Sequence, residues 1–281
     1  MSKSVFPPKD PLDPALCSPL DYAIARRDSE VLSMVQRALD QRQVLLAFQP
    51  IVQTSNPERP AFHEGLIRLL DNSGRIIPAR DFIDEAETNE TGRRIDCLAL
   101  ELGLNALAED PSLRLAVNMS ARSIGYPQWQ RVLNSGLGRD TTISERLILE
   151  ITESSAMQMP EIVMAFMGEL QERGVSFALD DFGAGYTSFR YLREFYFDIL
   201  KIDGQFIRGI ADNPDNQVLT AALISIAKHF EMFTVAEAVE SAADAAYLTE
   251  IGVDCMQGYY FGAPSVLPPW KLAEASTVRS A

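Results

Sequence analysis

The sequence predicts an α/β protein: one (β/α)8 TIM-like barrel forming a single domain, with a short N-terminal helical arm. Three observations predict it. Strand-like apolar runs alternate with helix-like stretches, which is the rhythm of strands covered by helices on their outer side. Eight such runs fall within about 230 residues, a number that suits a closed barrel better than an open sheet. Nearly every run also carries a polar residue near its carboxyl end, where such barrels build their sites.

The first twenty residues contain Pro7, Pro8, Pro11, Pro14 and Pro19. Proline neither propagates a helix nor pairs in a central strand, so this stretch reads as an extended arm. Ser29 is placed to cap a helix in which Val31, Leu32, Val35 and Leu39 recur at helical spacing. Residues 1–42 are therefore assigned to an arm and helix, 43–270 to the barrel and 271–281 to a tail. The strand candidates follow as VLLAFQPIV, FHEGLIRL, RLAVNMS, RLILEIT, SFALDDF, FDILKID, FTVAEAV and CMQGYYF. Two helical stretches are expected between Arg80 and Glu109, and the clearest helices are Glu161–Glu172 and Asn216–Phe233.

Composition limits the function classes. Lysine and arginine total 25 against 39 acidic residues, a net charge of −14. Such a surface repels a long phosphate backbone, so duplex nucleic acid is excluded as a partner. The longest unbroken apolar run, Ile162 to Met167, is far short of the roughly 18 residues of a membrane span. The start, MSKSVFPPKDP, has no apolar secretory core. Cys17, Cys97 and Cys255 are odd in number and widely spaced, which argues against a disulfide framework and fits a cytoplasmic protein.

A strand buried on both faces should be apolar throughout. Here the strand ends carry Glu64, Asn118, Glu150, Asp180 with Asp181, Lys201, Glu237 and Gln257. Their separations of 54, 32, 30, 21, 36 and 20 residues are one or two strand–helix units each. Lys201 shares a face with Ile199, and Glu237 with Val235. Asp180 and Asp181 are adjacent and point to opposite faces inside a strand. Both reach one site only if the strand ends there, as Gly183 and Gly185 suggest.

Carboxylates gathered on one rim repel each other and call for a cation. His63 neighbours Glu64 and so faces away, and His229 lies in a helix, so both read as structural. The remaining ligands are all oxygen, which suits Mg2+ or Mn2+. Glu64, Asn118, Glu150, Asp180 and Asp181 exceed what one Mg2+ takes from protein, with Glu237 nearby. Two ions about 4 Å apart suit in-line attack on a phosphoryl group. The residues alone thus point to a two-metal phosphohydrolase.

The strand FHEGLIR resembles the signature of EAL domains, the bacterial cyclic di-GMP phosphodiesterases. So do FQPIV at 48–52, NMS at 118–120, EITE at 150–153 and DDFGAGYTS at 180–188. LKID at 200–203, AEAVE at 236–240 and QGYYFG at 257–262 complete the pattern. The resemblance implies hydrolysis of cyclic di-GMP to linear pGpG. It implies Glu64, Asn118, Glu150 and Asp180 as ligands of one metal, with Asp180 bridging to a second that Asp181 also holds. It makes Lys201 and Glu237 the catalytic pair on the attacking water. Gln49, Arg68 and Gln257 become substrate-site residues, and Glu153 the anchor of the loop after the double aspartate. It also implies a homodimer formed near that loop. The aromatic stretch Tyr186, Phe189, Tyr191, Phe195, Tyr196 and Phe197 reads either as that interface or as core.

Three positions depart from the family pattern: Gly65 for alanine, Ala184 for threonine and Ala238 for glycine. None removes a ligand. Gly65 is expected to loosen Glu64 and Ala184 to weaken the second metal's loop, reducing activity without abolishing it. The alternative is a degenerate domain that binds cyclic di-GMP as a receptor. Retention of every ligand position and of the lysine favours the enzyme.

Overall fold

The computed structural model describes residues 18–183 and 192–271. Eight strands close into a barrel: β1 (Val44–Gln53), β2 (Asn56–Leu70), β4 (Leu115–Asn118), β5 (Leu147–Thr152), β6 (Ser176–Phe182), β7 (Ile199–Ile202), β8 (Phe233–Ala236) and β9 (Cys255–Gln257). A short β3 (Ile76–Pro78) adds to the outer end of β2. The seven strands from β2 to β9 other than β3 run parallel, but β1 is antiparallel to both neighbours, β2 and β9. Simple strand–helix alternation does not anticipate this reversal. Its cause is local: only Thr54 and Ser55 separate β1 from β2, and a two-residue link can join only antiparallel strands.

The helices lie outside: α1 (Pro19–Asp40), α2 (Glu90–Glu109), α3 (Pro127–Leu137), α4 (Pro160–Gln171), α5 (Pro214–His229) and α6 (Ala242–Glu250). Ser29 does not cap α1. The helix begins ten residues earlier at Pro19, whose fixed φ suits the first helical turn. Its Val35, Ala38 and Leu39 are buried in the same core as Leu69 and Phe82, so the helix is packed on the barrel. The remainder of the proline-rich arm, residues 1–17 with Cys17, lies outside the described residues. The α5 helix stops at His229 rather than Phe233, because Glu231 takes a left-handed φ of 60° and turns the chain into β8.

Two apolar layers hold the body together. One lies between strands and helices and includes Trp129, Phe177 and Phe182. The other forms one layer across the barrel interior. Each large side chain so buried contributes about 1.5–3 kcal/mol. Cys97 and Cys255 are free and buried. Phe195 and Phe197 are core residues, whereas Tyr196 is 78% exposed. Tyr186, Phe189 and Tyr191 lie outside the described residues, as do Ala184 and Gly185. No helix among the described residues is long and apolar enough to cross a membrane.

Candidate active site

The two-residue period of a strand builds two rings inside the barrel. The lower ring takes one residue from each of the eight strands: Ile51, Phe62, Ala116, Ile148, Ala178, Ile199, Val235 and Cys255. Two residues onward on each parallel strand stand Glu64, Asn118, Glu150, Asp180, Lys201, Glu237 and Gln257. Two residues earlier on the antiparallel β1 stands Gln49, and it completes the upper ring. Strand-end polarity does not point to Gln49; only the family resemblance does. Counting back from Ile51 finds it from the sequence once the reversal of β1 is read from its short turn.

Lys201 is fully buried at the centre of the upper ring. Its Nζ lies 2.8 Å from Glu237, 2.9 Å from Glu150, 2.9 Å from Asp180 and 3.4 Å from Glu64. Glu64 also accepts hydrogen bonds from Asn118 Nδ2 at 2.8 Å and Gln257 Nε2 at 2.6 Å. Gln257 donates at 3.1 Å to Gln49, whose own amide reaches the Gly262 carbonyl. The polar ring is therefore one connected network.

The double aspartate reaches the site by a different device from the one expected. The strand does not end at Asp181; β6 runs on to Phe182. Between Leu179 and Phe182 it holds one residue more than the facing segment of β7, and Asp181 adopts φ 55°. This is a bulge, which re-aims one side chain without ending the ladder. Oxygens of Asp180, Asp181 and Glu237 consequently lie within 4.8 Å of one another. Glu153 sits outside the ring and accepts the Gly183 amide at 3.2 Å, just past the end of β6. Asp96 of α2 does the same for the segment after Asn118, accepting from Ser120 N at 2.9 Å and Ser123 Oγ at 2.6 Å. No sequence pattern flags Asp96, since its partners are 24 and 27 residues away.

Arg68 is half-buried beside the ring and lines a cleft of about 480 Å3 with Gln49, Pro78, Arg80 and Tyr259. Arg80 does not stand out in the sequence, and Tyr259 falls within the QGYYFG stretch without being singled out. His63 points away from the ring, as its place next to Glu64 predicts, and its burial lowers its pKa.

One ammonium cannot neutralise this many carboxylates, and the titration directions say so. Burial raises Glu237 to about 8, with the charges of Asp180 and Glu64 adding to the effect. Burial and the charge of Asp180 raise Asp181 to about 6. Glu150 is also pushed up by burial, against the pull of Lys201. Burial works against the charged form of Glu64 too, but Lys201, Gln257 and Asn118 outweigh it and hold its carboxyl low. Burial alone would lower Lys201; the four surrounding carboxylates keep it charged.

The donor set fits divalent cations. Every candidate ligand offers oxygen, the ring is anionic, and the buried Glu150 Oε1 has no hydrogen-bond donor. The oxygens of Asp180, Asp181 and Glu237 converge closely enough to hold a cation between them.

Two departures from the family pattern have a structural reading. Gly65 is paired on both sides, to Phe48 and to Val117, so the ladders take up its added freedom. Leu46 fills the space beside it: a β-carbon there would stand 3.0 Å from Leu46 Cδ2. Ala238 adopts φ 52°, a left-handed conformation that favours glycine. Its methyl group occupies space that a β-carbon on Gly204 would need, the two carbons falling 2.7 Å apart.

These features define a closed barrel with an oxygen-lined, cation-ready site on the carboxyl rim of its strands. Residues 32–264 match the EAL domain family, and the chain belongs to it. Cyclic di-GMP phosphodiesterase PdeF of Escherichia coli (strain K12) is 31% identical over 241 residues, covering 84% of this chain and 32% of that protein. The bifunctional diguanylate cyclase/cyclic di-GMP phosphodiesterase MucR of Pseudomonas aeruginosa is 30% identical over 251 residues, or 86% and 36%. The chain thus spans about a third of the length of these curated relatives. Among solved structures, the PaMucR phosphodiesterase in complex with c-di-GMP superposes with a TM-score of 0.76 at 29% identity, covering 86% of this chain and 99% of that one. The FimX EAL domain from Pseudomonas aeruginosa bound to c-di-GMP gives 0.76 at 26% identity, covering 84% and 96%.

Proposed function

We propose that this chain hydrolyses one phosphodiester bond of cyclic di-GMP to give linear pGpG, using two divalent ions, Mg2+ or Mn2+. The observation that carries this reading is the ring of carboxylates around Lys201, opening beside a cleft that holds Arg68. Glu64, Asn118, Glu150 and Asp180 are assigned to one ion, Asp180 and Asp181 to the other. When bound, the ions supply charge neutralisation on the phosphoryl group and make a water more acidic.

The chain's own residues do the rest. Arg68, Gln49 and Gln257 seat the nucleotide, Arg68 by pairing with a phosphate or stacking on a base. Glu237, 2.8 Å from Lys201, accepts the proton of the attacking water, and Lys201 holds that carboxylate in place. The water oxygen bonds to phosphorus as one P–O ester bond breaks, the departing sugar oxygen takes up a proton from solvent, and Glu237 returns its own proton to solvent. Glu153 keeps the loop after Asp181 in position. In this reading the chain works in the cytoplasm as a homodimer, with residues 43–270 as the catalytic unit.

The test is turnover of cyclic di-GMP by the purified chain with Mg2+ or Mn2+, beside Glu64→Ala. Product that requires both metal and Glu64 supports the enzyme. Nucleotide binding with no product in any metal would leave a receptor instead. Light scattering on a sizing column reads the dimer.

A further inference from the structure

The barrel has a second mouth. Below the apolar ring, at the amino-terminal ends of the parallel strands, lies a cavity of about 480 Å3. The ring is its ceiling: Phe62, Ile148, Ile199, Val235 and Cys255 all face it. A barrel of this type ordinarily fills that level with another layer of side chains. Here the residues two positions before the ring include Ser176, which is too small to fill it. Arg114 and Phe233 occupy equivalent positions but are exposed, Phe233 at 65%. The level is left open.

The rim has a definite chemistry. Glu145, Asp198 and Asp254 line it with a single guanidinium, Arg114. Asp198 Oδ2 accepts the Phe177 amide at 2.8 Å, and Asp254 Oδ2 accepts the amide and hydroxyl of Thr234 at 2.8 and 2.7 Å. These bonds fix both carboxylates while leaving their Oδ1 atoms without a protein donor among the described residues. Arg114 is turned to the Glu145 carbonyl, 3.3 Å away. Three carboxylates against one cation disfavour any phosphate or carboxylate ligand and favour an ammonium group. The throat behind them is apolar, and a pocket of this size and lining suits a small molecule.

We propose that this lower mouth binds a compact amphiphilic amine, its aromatic or branched aliphatic body in the throat and its ammonium group at the carboxylate rim. The site is separate from the upper ring and does not depend on the activity assigned there. It is separated from that ring by one layer of side chains, since Ile199, Val235 and Cys255 precede Lys201, Glu237 and Gln257 by two residues.

Three molecules that share a phenyl ring and differ in their head test the proposal on the whole chain: 2-phenylethylamine, 2-phenylethanol and phenylacetate. Binding is followed by saturation-transfer NMR. The amine is expected to bind with a Kd on the order of millimolar, as its size allows, and phenylacetate at least about tenfold more weakly. Asp254→Asn keeps the shape and should weaken the amine roughly tenfold while sparing the alcohol. Ser176→Trp should fill the throat and abolish saturable binding of all three. Should that variant fail to fold, Phe233→Ser, at an exposed position, should weaken all three. Equal binding of amine and phenylacetate overturns the assigned ligand chemistry. Absence of saturable binding by any probe overturns the site, as does binding unchanged in the folded throat or rim variant.

Discussion

The upper and lower rings of the barrel are built from the same eight strands, two residues apart, and are chemical opposites. The lower ring is apolar and packs because its side chains are the right size. The upper ring is a hydrogen-bonded network around one buried ammonium ion, with more negative charge than that ion can balance. The difference shows how a barrel separates its tasks. One layer supplies stability without chemistry. The next holds charge that the fold alone does not neutralise and that a bound cation can.

The largest expected effect comes from removing the centre of the upper ring. Lys201→Ala strands four carboxylates, and breaking such a buried cluster should cost about 3–5 kcal/mol of stability without metal. Turnover should fall by about 10²–10⁴-fold if Lys201 and Glu237 act on the water together. Denaturant melts with and without Mn2+, beside product assays, separate the two losses. A melt unchanged in the absence of metal would show that the ring is not held by Lys201.

The matching change below is Ile199→Ala, one turn of the two-residue period away on the same strand. It should cost about 2–5 kcal/mol through the cavity it opens, while turnover of the folded fraction changes only a few-fold. A turnover loss as large as that of Lys201→Ala would erase the distinction between the rings.

A third, smaller effect is pH-dependent and belongs to the upper ring alone. Glu237 is raised from 4.5 to about 8 and Asp181 from 3.8 to about 6 by burial. Both folded values lie above the unfolded ones. Their contribution to stability is therefore full below the unfolded values and is lost as pH rises through about 6 for Asp181 and about 8 for Glu237. Glu64, held low, runs the other way and loses its contribution on acidification. The thermal midpoint of metal-free protein should fall from pH 5 to pH 8, and Mg2+ or Mn2+ should flatten that slope. A midpoint that rises over the same interval would contradict it.

The smallest effect tests the turn after Glu237. Ala238→Gly relieves a left-handed alanine and should stabilise the chain by up to about 1 kcal/mol. Gly204→Ala should cost about 1–3 kcal/mol by overpacking against the Ala238 methyl. Combining the two should recover part of that cost, a coupling readable from a double-mutant cycle of melts.

Much of the molecule is legible in the order of its residues. A strand's period is fixed at two, so polar residues at the ends of apolar runs announce one face of one rim, and the rhythm of runs announces the barrel around them. Helix boundaries are less legible. Pro19 opens α1 although a proline-rich stretch reads as extended, because its cost depends on position within the turn and not on the residue alone.

What local sequence determined by itself was the number of barrel strands, the inward face of most of them and the oxygen-only chemistry of their candidate ligands, since side-chain alternation is a property of a few consecutive residues. Only the tertiary structure decided the rest. The antiparallel β1 brings Gln49 into the ring, the bulge at Asp181 brings both aspartates to one side, Asp96 reaches across from another helix, and the lower mouth stays open. Each of these depends on which strand lies beside which, and on how much space is left between them, and those are relations among residues far apart in the chain.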